Sequence, residues 1–423
     1  MPRQVDVYYD GWGEHWRWGS LVTTTALNGR PQIAFEYSAE AMAHGLELCA
    51  YTLPLQGPSL RRDFPAHQLA LPGPVYDSLP DGWGMLLMDR LFKRRGLNPA
   101  RIGPLERLAY IGQNAMGAMS FEPVAEDLLV SSEDIPLERL ASDVREVLNG
   151  EGGPFLQKLL QVGGSPQGAR PKALLYGDGG TGVFSTQARS NLDAWLIKFP
   201  ARQEPPEVCA IEAVYAECLR RCGIQTPPCH YFKLPDGQAA FATKRFDRVD
   251  GLRVPMQSLA AFTGADFQNP GALDYSNFIR ATRLCTNDVR QQALAFERAV
   301  FNVAFNNRDD HPKNFAYVMA KAGNWTLAPA YDVTYCEGPG GYHQMDIMGE
   351  ALQVNRKDLC RLGEAETELS AQQVAGVIDK ICNVAAEFSA VARDILPGQV
   401  TSQTLKEIQY QINENIARLG SAD

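Results

Sequence analysis

The stretch Asn307-Arg308-Asp309-Asp310-His311-Pro312-Lys313-Asn314, answered by Ala330-Tyr331-Asp332-Val333, constrains this chain more than any other feature. An acid, an amide five residues on and a second acid are groups that the fold must bring together. The residues between them show how. Asn314-Phe315-Ala316-Tyr317-Val318-Met319 and Trp325-Thr326-Leu327-Ala328 read as strands across the turn Lys321-Ala322-Gly323-Asn324. A hairpin of that length returns Asp332 beside Asn314. Carboxylate and amide oxygens suit a hard cation such as Mg²⁺ bridging the phosphates of ATP, and a further acid suits deprotonation of a hydroxyl. Asp309 is the candidate base, with Asp310 its neighbouring competitor; Asn314 and Asp332 are the candidate metal ligands. Lys313 could neutralise phosphate charge nearby, and His311 reads chiefly as a hydrogen-bonding residue of this nucleotide-facing loop.

The order of acid, Asn and metal-binding Asp is that of the protein-kinase template. The rest of the chain has a layout to match: an α+β, two-lobed, kinase-like fold with an extra N-terminal β-rich subdomain and a mainly helical C-terminal lobe. Residues 1–122 read as the β-rich unit, with strands at Val5–Tyr9, Trp18–Val22 and Gln32–Tyr37 and a helix at Trp83–Phe92. Residues 123–250 read as an N-lobe. It would hold a helix through Leu137, Leu140, Val144 and Leu148 capped from Ser131–Asp134, then strands at Lys172–Tyr176 and Ala194–Phe199. A helix from Glu207 to Cys222 and a strand at Ala239–Phe246 complete it. Residues 251–423 read as the helical lobe that carries the acids. Its last helix has Leu405, Ile408, Ile412, Ile416 and Leu419 on one face, and Thr404 with Glu407 as a possible capping box.

Composition removes several alternatives. A net charge of −9 argues against broad coating of nucleic acid. The nine cysteines form no C-x-x-C pair and suit a reducing compartment better than a disulfide framework or a zinc site. The N-terminus lacks an apolar signal core and no long apolar run occurs, so a cytoplasmic protein without a membrane anchor is expected.

Three further segments fit a nucleotide site. Lys198 lies in a strand between apolar neighbours, and a strand lysine held by a helix glutamate commonly reaches the α- and β-phosphates. Glu212 is the leading partner and Glu217 the alternative. The loop Val162-Gly163-Gly164-Ser165-Pro166-Gln167-Gly168-Ala169-Arg170-Pro171-Lys172 offers backbone amides to phosphates, though it is neither a Walker A motif nor G-x-G-x-x-G. Ser165 within it could itself be phosphorylated. Lys244 and Phe246 sit where a hinge would present backbone groups to adenine.

Together these residues resemble the HipA family of bacterial serine/threonine kinases, the toxin halves of HipBA-type toxin–antitoxin modules. The likeness runs through Leu53-Pro54-Leu55, Asp77-Ser78-Leu79-Pro80-Asp81-Gly82, Ile111–Ala118, Gly168–Lys172, Arg245-Phe246-Asp247-Arg248, Asp309–Phe315 and Leu327–Asp332. The resemblance implies Asp309, rather than Asp310, as catalytic acid/base, Asn314 and Asp332 on magnesium and Lys198 on ATP. It implies Gly168, Ala169, Arg170 and Lys172 in the phosphate loop, although Arg170-Pro171 departs from the commoner Gly-Ala-Gln-Glu-Lys form. It further implies autophosphorylation at Ser165, a protein substrate such as an aminoacyl-tRNA synthetase, and growth arrest. The implied partner is a small helix-turn-helix antitoxin, through which alone the protein would meet DNA. Two alternatives use the same residues differently: a small-molecule or lipid kinase on this fold, and a catalytically silent regulator that holds a partner.

Overall fold

The computed structural model describes residues 4–25, 31–124, 134–150, 159 and 168–420. Two compact units interleave along the chain. The first comprises residues 1–204, 232–257 and 261–264, and the second residues 205–231, 258–260 and 265–423.

The first unit is built on two antiparallel sheets. One runs in the order β4 (Leu60–Arg61), β3 (Pro31–Tyr37), β2 (Trp16–Thr25), β1 (Gln4–Tyr9), β5 (Met119–Glu122). Alternation dictates its faces: Val5, Val7 and Tyr9 are buried on one side of β1 while their neighbours are not. Tyr9 stacks on Trp16 at 4.7 Å and meets Trp18 edge-on at 5.3 Å, so large aromatic area closes this core.

The second sheet contains β6 (Asp134–Pro136), β7 (Lys172–Gly177), β8 (Val183–Ser185) and β9 (Asp193–Lys198), and a further strand, β10 (Cys229–Lys233), precedes β11 (Ala239–Lys244). β9 lies between β7 and β11. Its inner residues Trp195 and Ile197 are almost inaccessible, as are Ala173 and Leu175 of β7. Each such large apolar side chain contributes about 1.5–3 kcal/mol on burial. The expected strands are thus present and β7 pairs directly with β9, but the connection between them carries the extra strand Val183–Ser185 on the far side of β7, and Cys229–Lys233 is additional. The helix Leu137–Leu148 forms over the expected residues with Pro136 as its N-cap and no side-chain cap. Asp134 is in β6 and caps nothing, and Ser131–Glu133 lie outside the described residues.

The second unit is helical. Tyr275–Thr286 and Val289–Ala304 are each opened by an aspartate, Asp274 and Asp288, whose side chains accept backbone N–H groups of the first turn. Arg356–Glu366 and Ala371–Ala386 carry full capping boxes. Gly363 lets these helices close up, since a Cβ there would stand 2.8 Å from Val374 and 2.9 Å from Phe296. The helix Glu207–Arg221, expected within the second sequence segment, belongs here: Tyr215 is fully buried against Phe305 and Phe388. The final helix, Ser402–Gly420, starts earlier than expected. Thr401 caps it by accepting from Thr404 N at 3.2 Å, and Thr404 Oγ1 donates instead to Glu207 at 2.6 Å.

Candidate active site

The helix Val289–Ala304 runs into the acid loop and ends where Asn306 adopts a left-handed φ of 53°. Asn307 N then donates back to Asn302 O at 2.9 Å, and its Nδ2 to Asn302 Oδ1 at 2.9 Å. The expected hairpin follows, with Ala316–Met319 paired to Trp325–Leu327 in the register Tyr317↔Leu327 and the turn closed at Gly323. Beyond it Ala330 N donates to Gln225 O at 2.7 Å, and Tyr331 Oη donates to the Lys313 carbonyl at 2.7 Å. These two bonds return the chain to the acid loop. Asp332 follows with φ 56°, in the left-handed region that Asp and Asn enter more readily than other non-glycine residues.

The two adjacent acids have opposite environments. Asp310 is 0% exposed. Its Oδ2 accepts from Tyr275 Oη at 2.8 Å and faces His343 Nδ1 at 2.7 Å, while Oδ1 accepts from Gln344 N at 2.8 Å. Tyr275 Oη in turn accepts from Asn302 Nδ2 at 2.9 Å. Asp309 has a side chain 44% exposed. Its Oδ1 accepts from Gln344 Nε2 at 3.0 Å and stands 3.6 Å from His311 Nε2. Partial burial pushes its carboxyl above the usual range; His311 and the Gln344 bond oppose this, and the negative charges of Asp332 and Asp310 add to it. Asp309 and Asp332 therefore sense each other's charge.

Asn314 Nδ2 donates to the Asp309 carbonyl at 2.6 Å, which turns its Oδ1, the ligating end of the amide, the other way. His311 caps the short turn Pro312–Asn314 by accepting from Lys313 N at 3.2 Å, the hydrogen-bonding role read from the sequence. Lys313 is buried, with Nζ 4.0 Å from the centre of the Phe267 ring. A cavity of about 20 Å³, room for one water, is lined by Asn302, Asn307, Asp310, Asn314 and Asp332 among others. Asn307 Oδ1 is buried there without a hydrogen-bond partner. Among the described residues no group of three or more His, Cys, Asp or Glu forms a metal cage. One acid and one amide fit the alternative, a hard cation that keeps water and phosphate oxygens in most of its coordination positions.

The remaining candidates in the first unit sit on the second sheet and its loops. Lys198 and Lys172 are 3% exposed and lie directly opposite each other across β7 and β9, so their side chains share one face. Lys198 also faces Phe241 of β11, with Nζ 5.9 Å from the ring centre. Lys172 Nζ reaches Gly168, where a Cβ would stand 2.3 Å from it; Gly168 has φ 102°. Ala169 follows, and the Arg170 guanidinium is tied to Glu204 at 2.9 Å. Ser165 lies outside the described residues.

Lys244 forms an exposed ion pair with Asp193 at 2.8 Å, and Phe246 is half-buried. Asp247 and Arg248 do more than pair with each other. Asp247 accepts from Gly117 N at 2.8 Å, and Arg248 and Arg253 donate to the Gly117 carbonyl at 2.9 and 3.0 Å. In the second unit, Glu212 is 2% exposed, whereas Glu217 lies on the helix surface paired with Arg220 and Arg221. Sequence reasoning missed Gln344 and His343, which carry no local signal, and also Asp81. The Asp81 carboxylate accepts from Gly168 N, and Trp83 Nε1 donates to the Lys172 carbonyl at 3.1 Å.

A mixed helix-and-sheet chain with an acid loop, a hairpin and a returning aspartate has the parts of a kinase-type phosphotransferase. Comparison with family models agrees: the HipA-like C-terminal domain matches residues 164–388 and the HipA N-terminal domain residues 12–122. The chain belongs to the HipA family, whose members are kinase-like toxins. Among solved structures it is similar to HipA of Shewanella oneidensis MR-1, from a complex of HipA, HipB and operator DNA. That match has a TM-score of 0.71 at 17% identity and covers 98% of this chain and 96% of that one. A second match is the Helicobacter pylori proinflammatory kinase CtkA, with a TM-score of 0.36 at 14% identity, covering 55% of this chain and 89% of that one. No curated protein sequence matches the chain.

Proposed function

We propose that the protein is an ATP- and Mg²⁺-dependent kinase that phosphorylates serine or threonine hydroxyls of a protein target and of its own chain, acting as a toxin restrained by an antitoxin. The observation that carries this reading is the contrast between the two neighbouring acids. Asp310 has its oxygens committed inside the fold, whereas Asp309 keeps a half-buried carboxylate with one oxygen open, beside Asn314 and within range of Asp332.

In this reading Asp309 takes the proton of the acceptor hydroxyl. Asn314 and Asp332 would hold Mg²⁺. Bound Mg–ATP supplies the phosphoryl group and the electrophilic phosphorus. Lys172 and Lys198 offset phosphate charge. The backbone of Gly168–Arg170 approaches the phosphates, and Lys244 and Phe246 offer backbone groups to the adenine. Ser165 is the first position to inspect for self-phosphorylation.

The Shewanella HipA is described in complex with HipB and operator DNA. A small helix-turn-helix antitoxin is the corresponding partner here, and the net charge of −9 leaves DNA contact to that partner. Among the described residues no helix is long and apolar enough to cross a membrane, and the proposed location is the cytoplasm.

The test is Asp309→Ala. Mg–ATP affinity by calorimetry is expected to stay within about threefold of the parent, while transfer of labelled phosphate falls by about 100-fold or more. Transfer at the parental rate would remove Asp309 from the mechanism.

A further inference from the structure

One oxygen of Asp309 is already engaged. Gln344 Nε2 donates to Oδ1 at 3.0 Å, and among the described residues no hydrogen bond reaches Oδ2. Gln344 is itself held rigidly. Its backbone N donates to Asp310 Oδ1 at 2.8 Å, its carbonyl accepts from Gly271 N at 2.8 Å, and the preceding His343 is buried on Asp310 Oδ2. One residue thus grips both acids, the buried one through its backbone and the half-buried one through its side chain.

Among the described residues, no other neighbour of Asp309 donates to it in the same way. Asp310, Asp332 and Cys336 bring negative or neutral groups to Asp309 and none donates to it. His311 has Nδ1 committed to Lys313 N, and its Nε2, at 3.6 Å, is too far for a hydrogen bond. A glutamine amide donates without carrying a charge of its own, so it can orient a carboxylate without forming a competing ion pair.

We infer that Gln344 is the positioning residue that fixes the Asp309 carboxylate with Oδ2 turned to the acceptor hydroxyl, an assignment that rests on Asp309 being the acid/base group. Productive transfer needs the base within hydrogen-bond reach and aligned, and small misplacements of such a group are expensive in rate.

The experiment is a double-mutant cycle on the full chain, with Mg–ATP as donor. Transfer is read both as label incorporated into the chain and as inorganic phosphate released to water. Gln344→Met keeps the side-chain length and removes the donor; kcat is expected to fall about tenfold with Mg–ATP affinity unchanged. Gln344→Glu, which replaces the donor by an acceptor, is expected to give at least the same loss and covers the case in which Gln344→Met does not fold.

In an Asp309→Asn background Gln344→Met is expected to cost nothing further, because its effect runs through Asp309. An equal loss in both backgrounds, or no loss in the parent, overturns the inference. Should Asp309→Asn itself transfer phosphate at the parental rate, the acid/base reading fails instead. The Gln344 side-chain amide resonance, identified by its absence in Gln344→Met, then reads the contact directly. It is expected to shift in Asp309→Asn, and an unmoved resonance rejects the contact itself.

Discussion

A carboxylate with no exposure survives only when its lone pairs are answered, and Asp310 meets that condition with Tyr275, His343 and the Gln344 backbone. Asp309, one residue earlier, has little to lose in stability. Asp310→Ala strands three polar groups in the interior and is expected to cost about 3 kcal/mol or more of unfolding free energy. Asp309→Ala is expected to cost less than about 1 kcal/mol. Urea unfolding of both variants measures the difference, and equal losses would contradict the separation of roles. The spacing from Asp309 to Asn314 and the return at Asp332 were legible because a short loop and a tight hairpin determine where those side chains go. The residues by themselves left Asp309 and Asp310 open, and only the family resemblance favoured Asp309. The choice turns on Tyr275 and His343, more than 30 residues away on either side, and no local pattern encodes those contacts.

At the scale of elements, the segment that opens the helix Gly82–Arg94 acts on a loop far along the chain. Asp81 accepts from Gly168 N, Trp83 N donates to the Gly168 carbonyl at 3.2 Å, and Trp83 Nε1 holds the Lys172 carbonyl. Gly82 has no room for a side chain, because a Cβ would stand 2.6 Å from Ala169 Cα. The resemblance marked Asp81 and Gly82 as a motif without giving them work; the structure shows them bracketing the loop that begins β7. If this loop binds phosphate as proposed, removing the bracket leaves its amides less ordered beforehand, and binding has to supply the ordering. Asp81→Ala is therefore expected to weaken Mg–ATP binding about three- to tenfold while Asp309→Ala does not. Calorimetry on both variants checks this, and an unchanged affinity in Asp81→Ala would make the bracket purely structural. Strand periodicity read β1–β3, β7, β9 and β11 correctly, where apolar residues alternate or run together. It missed Val183–Ser185, three residues long, and Cys229–Lys233, whose residues are all half-buried or exposed and show no clean alternation.

At the scale of the molecule, the first unit is assembled from distant stretches, and the latch at Asp247 joins two of them. Residues 113–119 are bound by Asp247, Arg248 and Arg253 through the Gly117 N–H and the carbonyls of Gln113, Ala115, Gly117 and Met119. The Arg245 guanidinium closes on Asp247 at 2.7 Å, and Arg253 reaches Asp10 at 3.1 Å. Burial alone would raise the Asp247 carboxyl, but Arg245 and Arg248, with the Gly117 N–H, outweigh it and hold the group well below the usual carboxylate range. A carboxyl whose folded pKa is depressed adds stability that is complete above its unfolded value of about 3.9 and drains away as pH falls toward the folded value. Asp247→Asn keeps the shape and one acceptor but leaves Arg245 and Arg248 without their buried counter-charge, at a cost of about 3 kcal/mol near neutral pH. The gap in unfolding free energy between parent and variant is expected to be flat from about pH 5 to 8 and to narrow below about pH 4, as the parent becomes protonated in its unfolded state. Chemical denaturation across that range measures it. A gap that stays constant down to pH 3 would mean that the latch holds by shape and hydrogen bonding, with the charge on Asp247 contributing nothing. A gap that narrows would show that the ionised Asp247 contributes to holding these two stretches of the first unit together, beside the Arg248 and Arg253 bonds.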